Sequence, residues 1–154
     1  LGGLTSRLLQ KFSYIKQGPL PYVRGTLLAS KIYHPKTIEV IVDNKRWYQG
    51  QATHVAIANG KFCGGGMKIA PIASLSDGFL DIVLLKKVSL PTLYTTFASA
   101  FWGLHLKLPF VVTSKATSIE LISKVTPVDI DGESFGKIPA KIRCLPKALN
   151  LIIP

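Results

Sequence analysis

The sequence predicts a strand-rich α+β domain: packed antiparallel sheets, one long inserted helix, and helical segments at the N-terminus. Three observations carry this. Short apolar runs of alternating or continuous character dominate residues 37–58, 79–87 and 117–153, the pattern of half-buried and central strands. Between Ser89 and Leu108 the period switches to helical, and turn-forming dipeptides punctuate the strands at close spacing. Strands and helices do not alternate as a βαβ chain requires, so a parallel sheet is not expected.

In chain order, residues 4–16 and 20–33 both carry apolar residues at helical spacing, separated by Gly18-Pro19. In "TIEVIVD", Ile38, Val40 and Val42 alternate with Glu39 and Asp43, which suits a half-buried strand. Asp43-Asn44-Lys45 signals a turn, with "KRWYQG" as the returning partner and "THVAIANG" as a further strand. "FLDIVLLKK" is apolar on both faces and is therefore expected at the centre of a sheet. Leu90, Leu93, Tyr94, Phe97, Phe101, Leu104 and Leu108 then recur at steps of three or four. Ser89 offers an N-cap for them and Pro91 an early proline. "TSIELIS", "TPVDID", "AKIRCLP" and "ALNLII" follow as short strands.

The 154 residues are the length of one domain, with 47% hydrophobic and 18% charged residues and a mean hydropathy of +0.31. This is the composition of a packed core, not of a disordered chain. No apolar run approaches the ~20 residues of a membrane-spanning helix. The chain begins at Leu1 and its sole methionine is Met67, so a piece of a longer protein is expected. Nineteen Lys and Arg against eight Asp and Glu give a net charge of +11. The basic residues are spread along the chain, with no aromatics interleaved in a nucleic-acid motif. Such a surface can meet nucleic acid, anionic lipid or a phosphorylated ligand, or be the solvated face of a larger protein, and charge alone does not choose. Cys63 and Cys144 stand far apart beside apolar neighbours and are expected as buried thiols in a reducing compartment.

Two stretches could carry chemistry. In "ANGKFCGGGMKIAPIASLSDGFLDIVLL", Gly64, Gly65 and Gly66 free the backbone for close approach or a bulge, but no P-loop or GxGxxG pattern follows. Asn59 suits a left-handed turn. Asp77-Gly78 reads as a turn before a strand, and a lone carboxylate is too little to assign a metal from spacing. His54 reads as a packed histidine, and His34 and His105 have no partner at ligand or triad spacing. The second stretch, "PVDIDGESFGKIPAKI", places Asp129, Asp131 and Glu133 two residues apart. If extended, the three would share one face and repel. Asp131-Gly132 is also a turn dipeptide, which would swing Glu133 away.

Taken in order, "ANGKFCGGGMKIAP", "DGFLDIVLL", "GLHLKLPFV" and "VDIDGESFGKIPAKIRCLPKALNLIIP" resemble the C-terminal half of the diacylglycerol kinase/sphingosine kinase superfamily, in its bacterial type, from about Tyr22 onward. The resemblance implies a β-sandwich-like domain of antiparallel sheets, the second of two. ATP would be held mainly by an N-terminal domain whose Gly-Gly-Asp-Gly-Thr loop this chain lacks. Glu133 would be the catalytic acid/base taking the proton of a lipid hydroxyl, with Asp131 and the loop of Asn59, Gly64, Gly65 and Gly66 close by as support. Asp77, through its side chain, and Ser74 and Phe79, through backbone oxygens, would hold a structural Mg²⁺. Asp129 receives no role. The implied partners are the lipid substrate, an anionic membrane surface, the chain's own N-terminal domain and, as an open alternative, a second copy in a homodimer. The implied location is cytoplasmic and peripheral to a membrane, or in an organelle of a eukaryote. Two other readings stand beside it: a non-catalytic β-sandwich module binding anionic lipid or a partner protein, and the related NAD kinase fold acting on a soluble nucleotide. By itself the chain is expected to be inactive.

Overall fold

The computed structural model describes residues 34–63, 65–124 and 126–149. The expected helical segments at 4–16 and 20–33, and most of the strand expected at 148–153, lie outside them. Within them the chain forms β1 (Lys36–Val42), β2 (Lys45–Ala58) and β3 (Leu80–Lys86), then helix α1 (Leu90–Ser99). Two short 3₁₀ turns, Ala100–Trp102 and Leu104–Lys107, lead to β4 (Val111–Ala116), β5 (Ser118–Ser123), β6 (Pro127–Ile130), β7 (Glu133–Lys137) and β8 (Ala140–Arg143). Six strands form one antiparallel sheet in the order β4-β3-β2-β1-β5-β8, and β6 and β7 form a second, two-stranded sheet. The result is the antiparallel, two-sheet, sandwich-like architecture with an inserted helix.

Alternation along β3 organises the interior. Ile82 and Leu84 point into a cluster with Ile38, Val40, Ile119, Leu121 and Ile138, whereas Val83 and Leu85 point into another with Ala70, Ala73, Leu93 and Val111. Successive side chains on a strand face opposite ways, so β3 serves two cores, as its unbroken apolar run suggests. Ile138, just beyond β7, seals the first core; α1 and the 69–73 segment seal the second. The strands expected as "KRWYQG" and "THVAIANG" are one 14-residue strand, whose pairing with β3 shifts between Ala52 and His54. The Thr53 hydroxyl at that shift donates to the Lys86 carbonyl at 3.2 Å.

Two strands escape sequence reading. In β4, Thr113 and Lys115 are exposed, which interrupts the apolar signal at the sheet edge. In β7 a glycine and charged residues hide a hairpin arm. The helical segment also differs in detail. Gly103 takes φ +74 and parts the two 3₁₀ turns, and a Cβ there would meet Pro71 Cγ at 2.7 Å, so glycine is required both by conformation and by contact. Ser89 sits at the N-cap position, but its hydroxyl pairs with the Thr92 hydroxyl at 2.8 Å rather than with a backbone N–H.

The turn between β1 and β2 is a two-residue connection with Asp43 and Asn44 both left-handed, at φ 46° and 66°, as hairpins of this length favour. Asp43 also ties this turn to the β4–β5 connection. Its Oδ1 accepts the Thr117 N–H at 3.1 Å, the Thr117 hydroxyl at 2.8 Å and the Ser118 N–H at 2.9 Å. The Thr117 hydroxyl foremost, with the Ser118 and Thr117 amides, holds the Asp43 carboxyl below its ordinary value. A lowered carboxyl stabilises the fold above the unfolded-state value and loses that contribution as pH falls through the lowered one. Asp43→Asn is therefore expected to lower the melting temperature modestly at pH 7, and Asp43→Ala by more. Both gaps to the native protein should shrink below pH 4, as checked by thermal unfolding across pH.

Candidate functional site

The Asp-Gly-Glu block forms the tip of the β6–β7 hairpin. Asp131 and Gly132 take φ 49° and 87° and make the two-residue turn, so Ile130 pairs with Glu133 and Asp129 with Ser134. Cross-strand partners share a face and neighbours along a strand do not. Glu133 thus lies on the face of Ile130, and Asp129 on the other. The extended alternative, with Asp129, Asp131 and Glu133 on one face, is corrected by this turn: the left-handed pair reverses the chain before Glu133.

Between this hairpin and the large sheet lies a cavity of about 410 Å³. Its walls are mainly apolar, with Ile38, Val55, Ile57, Leu121, Val128 and Ile142 among them. Its polar groups include Thr53, His54, Thr126, Asp129 and Asp131. Asp129 Oδ1 is buried without a hydrogen-bond partner, so a residue to which sequence reading gave no role stands on the cavity wall beside Asp131. Burial pushes the His54 imidazole down to about 3, which keeps it neutral near pH 7 and agrees with its reading as a packed histidine. Glu133 is exposed at the hairpin tip and is not among the cavity's lining residues.

The glycine loop is a tight backbone closure. Cys63 and Met67 exchange two hydrogen bonds, N–H to carbonyl at 2.9 and 3.0 Å. Gly65 and Gly66 take φ 79° and 98° between them, with open space where a Gly66 side chain would stand. Glycine is needed at Gly66 for conformation, not for close approach. Asn59 is exposed at a bend after β2 and does not take the left-handed conformation expected of it. Cys63 is exposed and Cys144 half-buried, both free, so neither is the buried thiol expected. Each sits in a connection outside the two cores rather than on a core face of a strand.

At the approach to β3, Asp77 Oδ1 accepts the Phe79 N–H at 3.1 Å and its Oδ2 accepts the Lys115 ammonium at 2.6 Å. Lys115, foremost, and Phe79 hold the Asp77 carboxyl below its ordinary value. Asp81, only 4% exposed, points Oδ2 toward the same ammonium at 3.6 Å, and that oxygen has no hydrogen bond. Burial pushes the Asp81 carboxyl up, while Lys115 draws it back. Sequence reading missed both partners. The available signal was an aspartate inside an otherwise apolar central strand, since a buried carboxylate demands a cation. Lys115 lay on the unread strand β4.

These residues suit a hard cation by donor type, because Mg²⁺ takes carboxylate and carbonyl oxygens and the buried Asp81 oxygen is left unsatisfied. Among the described residues no three His, Cys, Asp or Glu side chains gather as a metal site, so an ion here would depend on main-chain carbonyls and on sharing Asp77 with Lys115.

A family model described as the YegS C-terminal NAD kinase beta sandwich-like domain matches residues 4–153. The chain belongs to this family. It is a C-terminal domain of the bacterial-type lipid kinase superfamily. Relatives include a diacylglycerol kinase of Mycobacterium tuberculosis, 28% identical over 89% of this chain and 44% of that protein. A diacylglycerol kinase of Bacillus subtilis is 26% identical over 86% of this chain and 44% of its own length. A Bacillus anthracis crystal structure, provisionally described as a diacylglycerol kinase, superposes with a TM-score of 0.65 at 26% identity, covering 82% of this chain and 41% of that one. The chain spans less than half the length of these relatives.

Asp81 has a raised folded-state value, so its ionisation costs stability as pH rises through that value, and Lys115 limits the cost. Lys115→Met is expected to lower the melting temperature more at pH 7 than at pH 4. Lys115→Met with Asp81→Asn should recover most of the pH 7 loss, as read by thermal unfolding of the single and double variants.

Proposed function

We propose that this domain is the substrate-side half of an ATP-dependent lipid kinase that moves the γ-phosphoryl group of ATP to a lipid hydroxyl of the diacylglycerol or sphingoid-base type. The supporting observation is the juxtaposition of an apolar cavity with the Asp-Gly-Glu hairpin, on a chain of the lipid kinase superfamily. The cavity falls within the roughly 300–1,000 Å³ of small-molecule sites. Its mostly apolar wall suits hydrocarbon, while Asp129 and Asp131 mark the polar end where a headgroup would sit.

In this reading the Glu133 carboxylate accepts the hydroxyl proton as the lipid oxygen bonds to the γ-phosphorus, and the bond from that phosphorus to the β-phosphate oxygen breaks to release ADP. The exposed hairpin tip leaves Glu133 free to reach a phosphate donor held by an N-terminal domain. The turn backbone at Asp131-Gly132 sets where Glu133 emerges, which makes Asp131 a positioning residue. The loop of Asn59, Gly65 and Gly66 lies on the other face of the large sheet from the hairpin, so any support it gives the substrate would come from beyond the cavity. Asp77, with the Ser74 and Phe79 carbonyls, would hold Mg²⁺, which when bound supplies positive charge that orders the loop. The enzyme would work peripherally at a membrane, in the cytoplasm or an organelle, drawing its substrate from the bilayer.

In the full-length protein, Glu133→Gln is expected to lower lipid phosphorylation by about 10²–10⁴-fold, the range for losing a general base, with an unchanged melting temperature. Retained turnover would remove Glu133 from this role. Assay of the native protein over a panel of diacylglycerols, sphingoid bases and phosphatidylglycerol identifies the substrate.

A further inference from the structure

The loop after β2 and the 3₁₀ turns after α1 are stitched into one surface. The Lys68 N–H donates to the Ala100 carbonyl at 3.0 Å, and the Ala70 N–H to the Lys61 carbonyl at 3.3 Å. His105 Nε2 lies 3.0 Å from the Ile69 carbonyl; a carbonyl only accepts, so Nε2 carries the proton. Gly103 closes against Pro71. From these joined segments Phe62, Ile72, Leu75, Trp102 and Leu104 project with half or more of their surface exposed, Trp102 at 70%. Single exposed apolar residues are ordinary, but five large ones on two bonded segments are not.

The charge around them has one sign. Residues 59–76 and 82–119 contain no Asp or Glu, while Lys61, Lys68 and Lys107 stand among the apolar side chains, all three exposed. Protein interfaces are depleted in lysine. Surfaces that lie on bilayers combine Trp, Leu and Phe with Lys, the rings entering the headgroup layer and the ammonium groups meeting anionic lipid. We infer that the face built from Phe62, Ile72, Leu75, Trp102 and Leu104, with Lys61, Lys68 and Lys107, is the surface by which the protein docks on an anionic membrane. This rests on the lipid kinase reading for its purpose, but not for its geometry. It gives three of the nineteen basic residues a role on one face, and it orients the domain with the glycine loop toward the bilayer.

The test uses the full-length protein, phosphatidylcholine vesicles with and without phosphatidylglycerol, and the variants Trp102→Ser with Leu104→Ser, Lys68→Glu with Lys107→Glu, and Glu133→Gln. Unchanged melting temperatures exclude misfolding, since every docking position replaced is exposed. The native protein is expected to prefer anionic vesicles. Both docking pairs should weaken that binding roughly tenfold or more, since each Lys near the surface contributes a several-fold effect. They should lose phosphorylation of vesicle-embedded lipid while keeping it on a short-chain, water-soluble analogue. Glu133→Gln should show the reverse, with vesicle binding retained and both activities lost, so failure of the docking face and failure of the kinase reading are separable. The fluorescence difference between the native protein and Trp102→Phe should be quenched by brominated lipid. Native-like vesicle binding by both docking pairs, or no quenching of Trp102 in the bound protein, overturns the proposal. So does a Trp102 already shielded from aqueous quencher without lipid, which would mean that another part of the protein or a second copy covers the face.

Discussion

The structure depends on one strand being buried on both of its faces. Ile82 and Leu84 have no exposed surface, and Val83 and Leu85, facing the other way, retain under a tenth of theirs. An apolar strand of this kind must be covered twice. The β6–β7 hairpin and Ile138 cover one side, while α1, Ala70 and Ala73 cover the other. Both candidate site features are by-products of that covering. The cavity is the space left where a two-stranded hairpin spans a face of a six-stranded sheet, and the glycine loop is part of the lid on the opposite face.

The same strand draws Asp81 into the interior. Its register sets Asp81 opposite Ala58 on β2 and Lys115 on β4, so among the described residues the cation that meets it comes from the edge strand. A buried carboxylate with an exposed lysine is an asymmetric pair. The lysine stays hydrated and shared with Asp77, while one carboxylate oxygen is left without a hydrogen bond. The loop entering β3 is thereby held at its end by charge and along its length by the Lys68–Ala100 backbone bond and the His105 side chain on the Ile69 carbonyl. Disturbing either is expected to move both the candidate ion site and the apolar face beside it.

Much of the fold was legible because the period of the apolar residues reports the surface a strand or helix must bury. The β1–β2 hairpin, the interior placement of β3, one strand in from the sheet edge, and the helical stretch after Ser89 follow from Ile38, Val40, the run Ile82–Leu85, and Leu93 with Phe97. What escaped follows the same physics. Edge strand β4 carries exposed Thr113 and Lys115, and β7 belongs to a small sheet with little apolar surface to bury, so neither leaves a periodic trace. In the site, local turn chemistry at Asp131-Gly132 and at Asp77-Gly78 was readable. The joining of Asp77 and Asp81 through Lys115 was not, because it is made by strand register across 34 or more residues.

Three acids within five positions pose a problem of repulsion that could be met by a bound cation or by geometry. The chain meets it by geometry. A two-residue turn with both residues left-handed places Asp131 at the apex and puts Asp129 and Glu133, paired with Ser134 and Ile130, on different faces of the hairpin. Gly132, at φ 87° with nothing near its missing side chain, is needed for that reversal and for no packing reason. Any other residue there would strain the turn and shift the pairing of Ile130 with Glu133 that decides which way the glutamate points. The position of Glu133 thus rests on Gly132 more than on either neighbouring acid.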